Sequence, residues 1–206
     1  PRVKPPQDAD VIALDPKDAA RLSLDPKGPN LHLLYDNLPV EESKRGYMPF
    51  NPSILPFLSQ RLLIVLCELS PDNYSFYQRR LAEFQSRMES AVEVGRSLIH
   101  DVSILDLSGA VGPWIRAASV KAVRPPDELW SAWGRNARTA ELSLAIKEAE
   151  NNEWRILTDV WTPQQIREKA ASSKGFVFIP PPEADYDFFD YLHDIYLKIW
   201  AVSPAK

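Results

Sequence analysis

The stretch that decides the predicted fold is residues 74–102, YSFYQRRLAEFQSRMESAVEVGRSLIHDV. Its apolar and small residues recur at alternating intervals of three and four, which is typical of one face of a long α-helix. These residues are Tyr74, Tyr77, Leu81, Phe84, Met88, Ala91, Gly95, Leu98 and Val102. No proline lies between Asp72 and Gly112. The pattern therefore predicts one amphipathic helix over residues 73–102, and the small side chains at its centre predict close approach of a neighbouring helix.

The segment that precedes this helix is rich in proline. Ten of the 19 prolines lie within residues 1–56, where missing N–H groups and restricted φ angles oppose long helices. The sequence predicts an extended N-terminal arm over residues 1–50, with short turns such as one capped by Asp15 and opened by Pro16. The arm also carries large apolar side chains that need a surface to cover them. They include Val11, Ile12, Leu14, Leu22, Leu24, Leu31, Leu33, Leu34 and Tyr35.

Residues 51–206 are predicted to form a helical body. Prolines and acidic residues at 125–128, and the sequence Thr162-Pro163, are typical of helix N-termini. Residues 176–182, FVFIPPP, predict a short extended segment for which the sequence shows no convincing partner strand. Residues 186–202 are rich in aromatic side chains and predict a C-terminal helix. The expected fold class is mainly α, a bundle-like body with an extended arm.

Charge and cysteine content restrict the expected partners and compartment. The formal net charge of −4 provides no overall attraction for nucleic acid or anionic membrane. Cys67 is the only cysteine, so no disulfide framework forms within the chain, which favours a reducing compartment. Residues 1–10 are polar and no apolar segment follows them, so the sequence predicts no secretory signal. The predicted location is cytoplasmic or another reducing compartment.

No residue cluster has the pattern of a catalytic, cofactor-binding or metal-binding site. His32, His100 and His193 are far apart in the sequence, and none has a second ligand at metal-binding spacing. The seven glycines form neither a phosphate-binding loop nor a dinucleotide fingerprint. The expectation is a protein that is not an enzyme and uses no cofactor and no metal.

One region combines basic and aromatic residues. Cations beside tryptophan rings are typical of grooves that bind single-stranded RNA or DNA, because cations bind phosphates and rings stack on bases. The alternative is that the tryptophans are core residues and the arginines are solvated or paired. The residues concerned are Arg116, Lys121, Arg124, Trp130, Trp133, Arg135 and Arg138.

The predicted function follows from this layout. An extended arm and a helical body resemble, in architecture alone, the subunits of coats and nucleoproteins, whose arms reach onto neighbouring subunits. The sequence-based hypothesis is a structural protein that self-assembles through its arm into a homo-oligomer or filament, with copies of itself and possible single-stranded RNA as partners. Two alternatives remain: a monomeric adaptor that binds a partner protein through the aromatic C-terminal helix, and an enzyme with a helical pocket.

Overall fold

A computed structural model describes residues 6, 8–21, 23–25, 27–36 and 51–202. The prediction of a mainly α fold is wrong, because helices alternate with parallel strands in an α/β arrangement. The strands are β1 (Val11–Ala13), β2 (Leu31–Leu33), β3 (Ile104–Asp106), β4 (Ala122–Val123), β5 (Arg155–Asp159) and β6 (Phe176–Ile179). The helices are α1 (Pro16–Arg21), α2 (Leu55–Leu69), α3 (Tyr74–Ile99), α4 (Gly112–Ala118), α5 (Asp127–Gly134), α6 (Thr139–Asn151), α7 (Gln164–Ala170) and α8 (Phe188–Ala201).

The chain divides into two compact units. Unit 1 comprises Pro1–Pro49 and Ser53–Gln85, and unit 2 comprises Phe50–Pro52 and Ser86–Lys206. The boundary between Gln85 and Ser86 falls inside α3, so this helix contributes its first half to unit 1 and its second half to unit 2. The long helix predicted over residues 73–102 is confirmed by α3.

The described part of unit 1 contains the parallel pair β1 and β2, in which Ile12 lies opposite His32. The turn predicted at Asp15 and Pro16 is confirmed, since the Asp15 carboxylate accepts a hydrogen bond of 2.8 Å from the Asp18 N–H at the start of α1. Leu34 and Tyr35, which follow β2, are buried against Leu58 of α2. Leu34 and Tyr35 are therefore covered by their own chain and need no neighbouring subunit to bury them.

The other predicted arm residues that the structure describes are only half-buried. Val11 and Ile12 in β1 and Leu31 and Leu33 in β2 are half-buried, as are Leu14 and Leu24. Leu22 lies outside the described residues.

Unit 2 is built on four parallel strands in the order β4-β3-β5-β6. All residues of β3 and β5 are buried, and helices α5, α6 and α7 pack with these strands around Trp133, Leu142 and Ile156. A parallel sheet covered by helices reads in the sequence as short apolar runs without alternation. Alternation of apolar and polar residues therefore does not reveal Ile104–Asp106 and Arg155–Asp159 as strands in the sequence.

The segment 176–182 begins with β6, which pairs in parallel with β5 so that Ile156 lies opposite Phe176. The partner strand lies 20 residues upstream and is joined through α7, a connection that local sequence patterns do not reveal. Near the C-terminus, α8 is capped by the Asp187 carboxylate, which accepts hydrogen bonds from the N–H groups of Phe189 and Asp190. Within the described ranges, no helix combines the length and apolar character needed to cross a bilayer.

Candidate functional site at the carboxyl edge of the unit 2 sheet

The order of strands in unit 2 marks one edge as the candidate site. The chain runs from β3 to β4 on one side and then returns past β3 to form β5 on the other side. In open parallel sheets, ligands bind beyond the carboxyl ends of the strands at the point where the direction of winding changes. That point lies between β3, which ends at Asp106, and β5, which ends at Asp159. Both carboxylates are fully buried.

The Asp159 carboxylate is held by the loop that follows β3. Its Oδ1 accepts a hydrogen bond of 2.8 Å from the Gly109 N–H, and its Oδ2 accepts bonds of 2.7 and 3.2 Å from the N–H groups of Ala110 and Val111. The Thr162 hydroxyl lies 2.9 Å from Oδ1 and also accepts a hydrogen bond from the Asp159 N–H. Three successive backbone N–H groups form a concave donor site of the kind that binds anions, and here the anion is Asp159.

The Asp106 carboxylate lies among donors from the same loop and from two arginines. Oδ1 accepts hydrogen bonds from the N–H and the hydroxyl of Ser108, at 3.0 and 2.5 Å. Oδ2 accepts a hydrogen bond from the Arg116 guanidinium and lies 3.9 Å from a guanidinium nitrogen of Arg124. A Cβ added to Gly112 would overlap Oδ2, so the start of α4 approaches this carboxylate as closely as glycine permits.

Aromatic side chains line the surroundings of the two carboxylates. The Trp130 indole N–H donates to the Leu107 carbonyl at 3.0 Å, and the Arg124 guanidinium lies 5.0 Å from the centre of the Trp130 ring. The Tyr191 hydroxyl donates to the Pro180 carbonyl at 2.6 Å. Burial, with a contribution from the negative charge of Asp159, raises the pKa of Tyr191 to about 12, so this phenol stays protonated at neutral pH.

The residues predicted to contact nucleic acid are dispersed among different roles. Trp133 is a core residue, Trp130 is partly buried, and Arg116 and Arg124 pair with Asp106. Lys121 lies 3.7 Å from Asp101, while Arg135 and Arg138 are exposed on either side of the turn between α5 and α6. The structure thus brings Arg116, Arg124 and Trp130 together around the carboxyl edge, and it places Trp133 in the core.

The three histidines do not converge. His32 lies in β2 of unit 1 with its Nε2 3.6 Å from Asp10, His100 is exposed beside Asp101, and His193 is exposed on α8 of unit 2. Within the part of the chain that the structure describes, no three His, Cys, Asp or Glu side chains are grouped so that they could hold a metal ion.

Sequence reasoning missed both Asp106 and Asp159. Asp106 directly follows the apolar pair Ile104-Leu105, and Asp159 follows the apolar pair Ile156-Leu157 after one threonine. An acidic residue after a short apolar run is the available signal for the carboxyl end of a buried parallel strand. The signal has no meaning until the run is recognised as a strand.

Comparisons with known proteins establish the fold. No protein-family model matches the sequence, and no curated protein matches it. Among solved structures, ZnuA is similar with a TM-score of 0.62 and 18% identity, over 93% of this chain and 78% of that chain. A periplasmic metal binding protein from Candidatus Liberibacter asiaticus is similar with a TM-score of 0.55 and 13% identity, over 95% of this chain and 81% of that chain. The SBP FpvC from Pseudomonas aeruginosa, in complex with Mn²⁺, has a TM-score of 0.54 and 13% identity, over 90% and 74% of the two chains.

These likenesses correct the sequence-based function. FpvC is described in complex with Mn²⁺ and the protein from Candidatus Liberibacter asiaticus as a periplasmic metal binding protein, and neither is a coat or nucleoprotein subunit. The predictions of a self-assembling capsid-like or nucleoprotein-like subunit, of copies of itself and RNA as partners, and of a cytoplasmic location are therefore wrong. The alternative of an enzyme with a helical pocket assumed a wholly helical body, which the α/β fold contradicts. The chain shares the α/β fold of these solved structures.

Proposed function

We propose that this chain is a non-catalytic periplasmic solute-binding protein, with divalent metal ions as the solute class indicated by its structural neighbours. The observation that carries the proposal is the likeness to ZnuA over 93% of this chain. Further support comes from neighbours described as bound to Mn²⁺, Ni²⁺ and Zn(II). The periplasmic location is proposed because the neighbour from Candidatus Liberibacter asiaticus is described as periplasmic.

The donor set of the described residues fits a metal ion poorly. Zn²⁺ in proteins takes imidazole, thiolate and carboxylate ligands, commonly four, while Mn²⁺ and Ni²⁺ need nitrogen or oxygen donors with free lone pairs. The carboxylates of Asp106 and Asp159 already accept hydrogen bonds from their surroundings. These two carboxylates therefore offer few free lone pairs to a metal ion.

A second candidate follows from the same donor set. The chain would keep the binding-protein fold and serve a solute other than a metal ion. The two carboxylates at the carboxyl edge favour this candidate, because protein donors already occupy their hydrogen-bonding positions.

Metal titration of the full chain distinguishes the two candidates. The protein is first treated with a chelator, and Zn²⁺, Mn²⁺ and Ni²⁺ are then added separately in a calorimeter. The first candidate predicts saturable binding near one ion per chain and a thermal shift, since ligand at one hundred times Kd stabilises a protein by about 2.7 kcal/mol. The variant Cys67→Ser is the control, because a metal held by the lone thiol would no longer bind.

The absence of saturable binding by all three ions, in a protein that unfolds cooperatively, would contradict the metal-binding candidate and favour the second. Binding that disappears in Cys67→Ser would show adventitious thiol ligation and would also contradict it.

A further inference from the structure

We infer that the carboxylates of Asp106 and Asp159 are hydrogen-bond acceptors that fix the loop of residues 107–111 to the ends of β3 and β5, and that this edge of the unit 2 sheet is not a metal centre. The inference concerns the position at which open parallel sheets generally bind their ligands. It does not depend on whether the chain binds a metal elsewhere, so it goes beyond the proposed function.

Protein donors already occupy the hydrogen-bonding positions of the Asp159 carboxylate. An ionised carboxylate offers about four lone-pair positions. At Asp159 these positions face the N–H groups of Gly109, Ala110 and Val111 and the hydroxyl of Thr162, at distances between 2.7 and 3.2 Å. The Thr162 hydroxyl has one proton and lies nearer to Asp159 than to the Leu107 carbonyl, at 2.9 against 3.2 Å. A metal ion at Asp159 would have to displace at least one of these donors.

Displacing one of these N–H donors from Asp159 would cost free energy. Ala110 and Val111 are buried, so a backbone N–H that lost Asp159 would have no water to bind. A buried donor without a partner is strongly unfavourable. The loop 107–111 is thus stabilised in the conformation that excludes the ion.

Positive charge also opposes a metal ion beside Asp106. Arg116 and Arg124 place two positive charges beside Asp106, and Arg124 is shared with the exposed carboxylate of Asp127 at 3.6 Å. A divalent cation near Asp106 would meet two fixed guanidinium groups in a partly buried setting, where repulsion is stronger than in water.

The backbone around the loop of residues 107–111 is closely packed. A Cβ added to Gly109 would lie 2.6 Å from the Trp161 carbonyl oxygen, and one added to Gly112 would overlap both Asp106 and Arg116. The backbone on both sides of the loop therefore lies directly against its neighbours. Little room is left for an ion that would keep part of its hydration shell.

The first test uses the unaltered full chain and Mn²⁺ alone. Mn²⁺ is paramagnetic and broadens the NMR signals of nearby protons. During a titration to one equivalent, we expect the amide signals of Gly109, Ala110 and Val111 to persist, whatever happens to signals elsewhere. Loss of these three signals ahead of all others would overturn the inference. If no signal in the protein broadens, the metal-binding function fails while the inference stands.

The second test separates a structural carboxylate from a metal ligand. Asp159→Asn replaces one acceptor oxygen with an NH₂ group that faces backbone donors, so we expect the melting temperature to fall by about 5 °C or more. The affinity for Zn²⁺, where the unaltered chain binds it, should stay within about two-fold. Asp101→Asn, at an exposed carboxylate of the same unit, is the matched control and should change neither quantity.

An unchanged melting temperature for Asp159→Asn, together with a loss of Zn²⁺ affinity of about tenfold, would overturn the inference. If Asp159→Asn does not fold, the dependence of the fold on this carboxylate is shown directly. The Mn²⁺ titration of the unaltered chain then decides whether the same carboxylate also binds metal.

Discussion

Unit 1 and unit 2 both contain parallel strands, yet they bury them to different depths. Every residue of β3 and β5 in unit 2 is buried, whereas of the six residues in β1 and β2 only Ala13 is. The core of unit 1 around Leu34, Tyr35 and Leu58 borders a groove of about 380 Å³, which is lined almost entirely by apolar side chains of α2 and α3 and by Leu14 and Leu34. Unit 2 instead closes its core with a sheet and helices around it.

The difference shows what a parallel strand requires. Two parallel strands alone are marginal, because each has one unpaired edge and little apolar surface is covered. The four strands of unit 2 share edges, and its polar groups at the carboxyl edge are paired with one another. We therefore expect unit 2 to contribute most of the free energy of unfolding.

The largest contrast is expected from removing one leucine in each core. Leu142 is 1% exposed inside the unit 2 core, and Leu142→Ala should lower the free energy of unfolding by about 2–5 kcal/mol because it leaves a closed cavity. Leu58→Ala in unit 1 should fall at or below the lower end of that range, since Leu58 lines a groove that is already open.

Urea unfolding provides the measurement. All six tryptophans lie in unit 2, so tryptophan fluorescence follows unit 2 alone, while circular dichroism follows the helices of both units. Leu142→Ala should move the fluorescence transition to lower urea. An equal shift of that transition by Leu58→Ala would contradict the contrast between the units.

A smaller effect is expected from filling space at glycine. A Cβ at Gly95 would lie 2.6 Å from the Tyr196 ring and 2.8 Å from the Ala118 Cβ, all in unit 2. Because Tyr196 and Ala118 are buried, Gly95→Ala should destabilise unit 2 by about 1–3 kcal/mol. Gly28→Ala is the matched substitution in unit 1, where the added Cβ would lie 3.2 Å from one backbone oxygen.

Thermal unfolding monitored by fluorescence and by circular dichroism compares the two glycine variants. Gly28→Ala should change both transitions far less than Gly95→Ala changes the fluorescence transition. A Gly95→Ala protein as stable as the unaltered chain would show that α3 and α8 can separate without cost.

The smallest effect concerns the N-terminus of α8. A hydrogen bond of 2.6 Å from the Arg87 guanidinium, aided by two backbone N–H groups, lowers the pKa of Asp187 below its usual value. A carboxylate with a lowered pKa in the folded state stabilises the protein above its unfolded pKa of about 3.9 and loses that effect as pH falls towards the folded value. Asp187→Asn should therefore lower the melting temperature at pH 7, and this difference should shrink as pH falls below about 3.9 towards the lowered folded-state pKa.

The measurement is a series of thermal melts of both proteins between neutral and acid pH. Glu83→Gln, which removes the exposed ion pair of Arg80 with Glu83 in unit 1, serves as the control and should change little at any pH. A difference between Asp187→Asn and the unaltered chain that is the same at pH 7 and pH 3 would contradict the role of the Arg87 pair.

The helical elements were accessible from the sequence because their signals are local. The spacing of Met88, Ala91 and Gly95 in the sequence predicts one face of α3, and these residues are buried on it. The predicted close approach at Gly95 is confirmed by the Tyr196 ring of α8. Each signal depends on residues a few positions apart, which is the range over which helical periodicity acts.

The sheet was not accessible in the same way. Strands of two to five residues, such as Ala122–Val123, carry too few positions to show alternation, and buried parallel strands show none. The one recognised segment, 176–182, had no partner in the prediction because parallel pairing needs a crossover connection. The candidate site could not be predicted without the sheet, since Asp106 and Asp159 are 53 residues apart in the sequence and the pairing of β3 with β5 brings them to the same edge.

The long helix α3 and the turn capped by Asp15 can be predicted from the sequence, because each depends on residue types and short spacings. The α/β class, the burial of Leu34 and Tyr35 against Leu58, and the hydrogen bonds of Asp159 with the N–H groups of residues 109–111 are visible only in the folded chain. These features depend on contacts between residues far apart in the chain. Such contacts form only when the whole chain has covered its apolar surface and paired its buried polar groups.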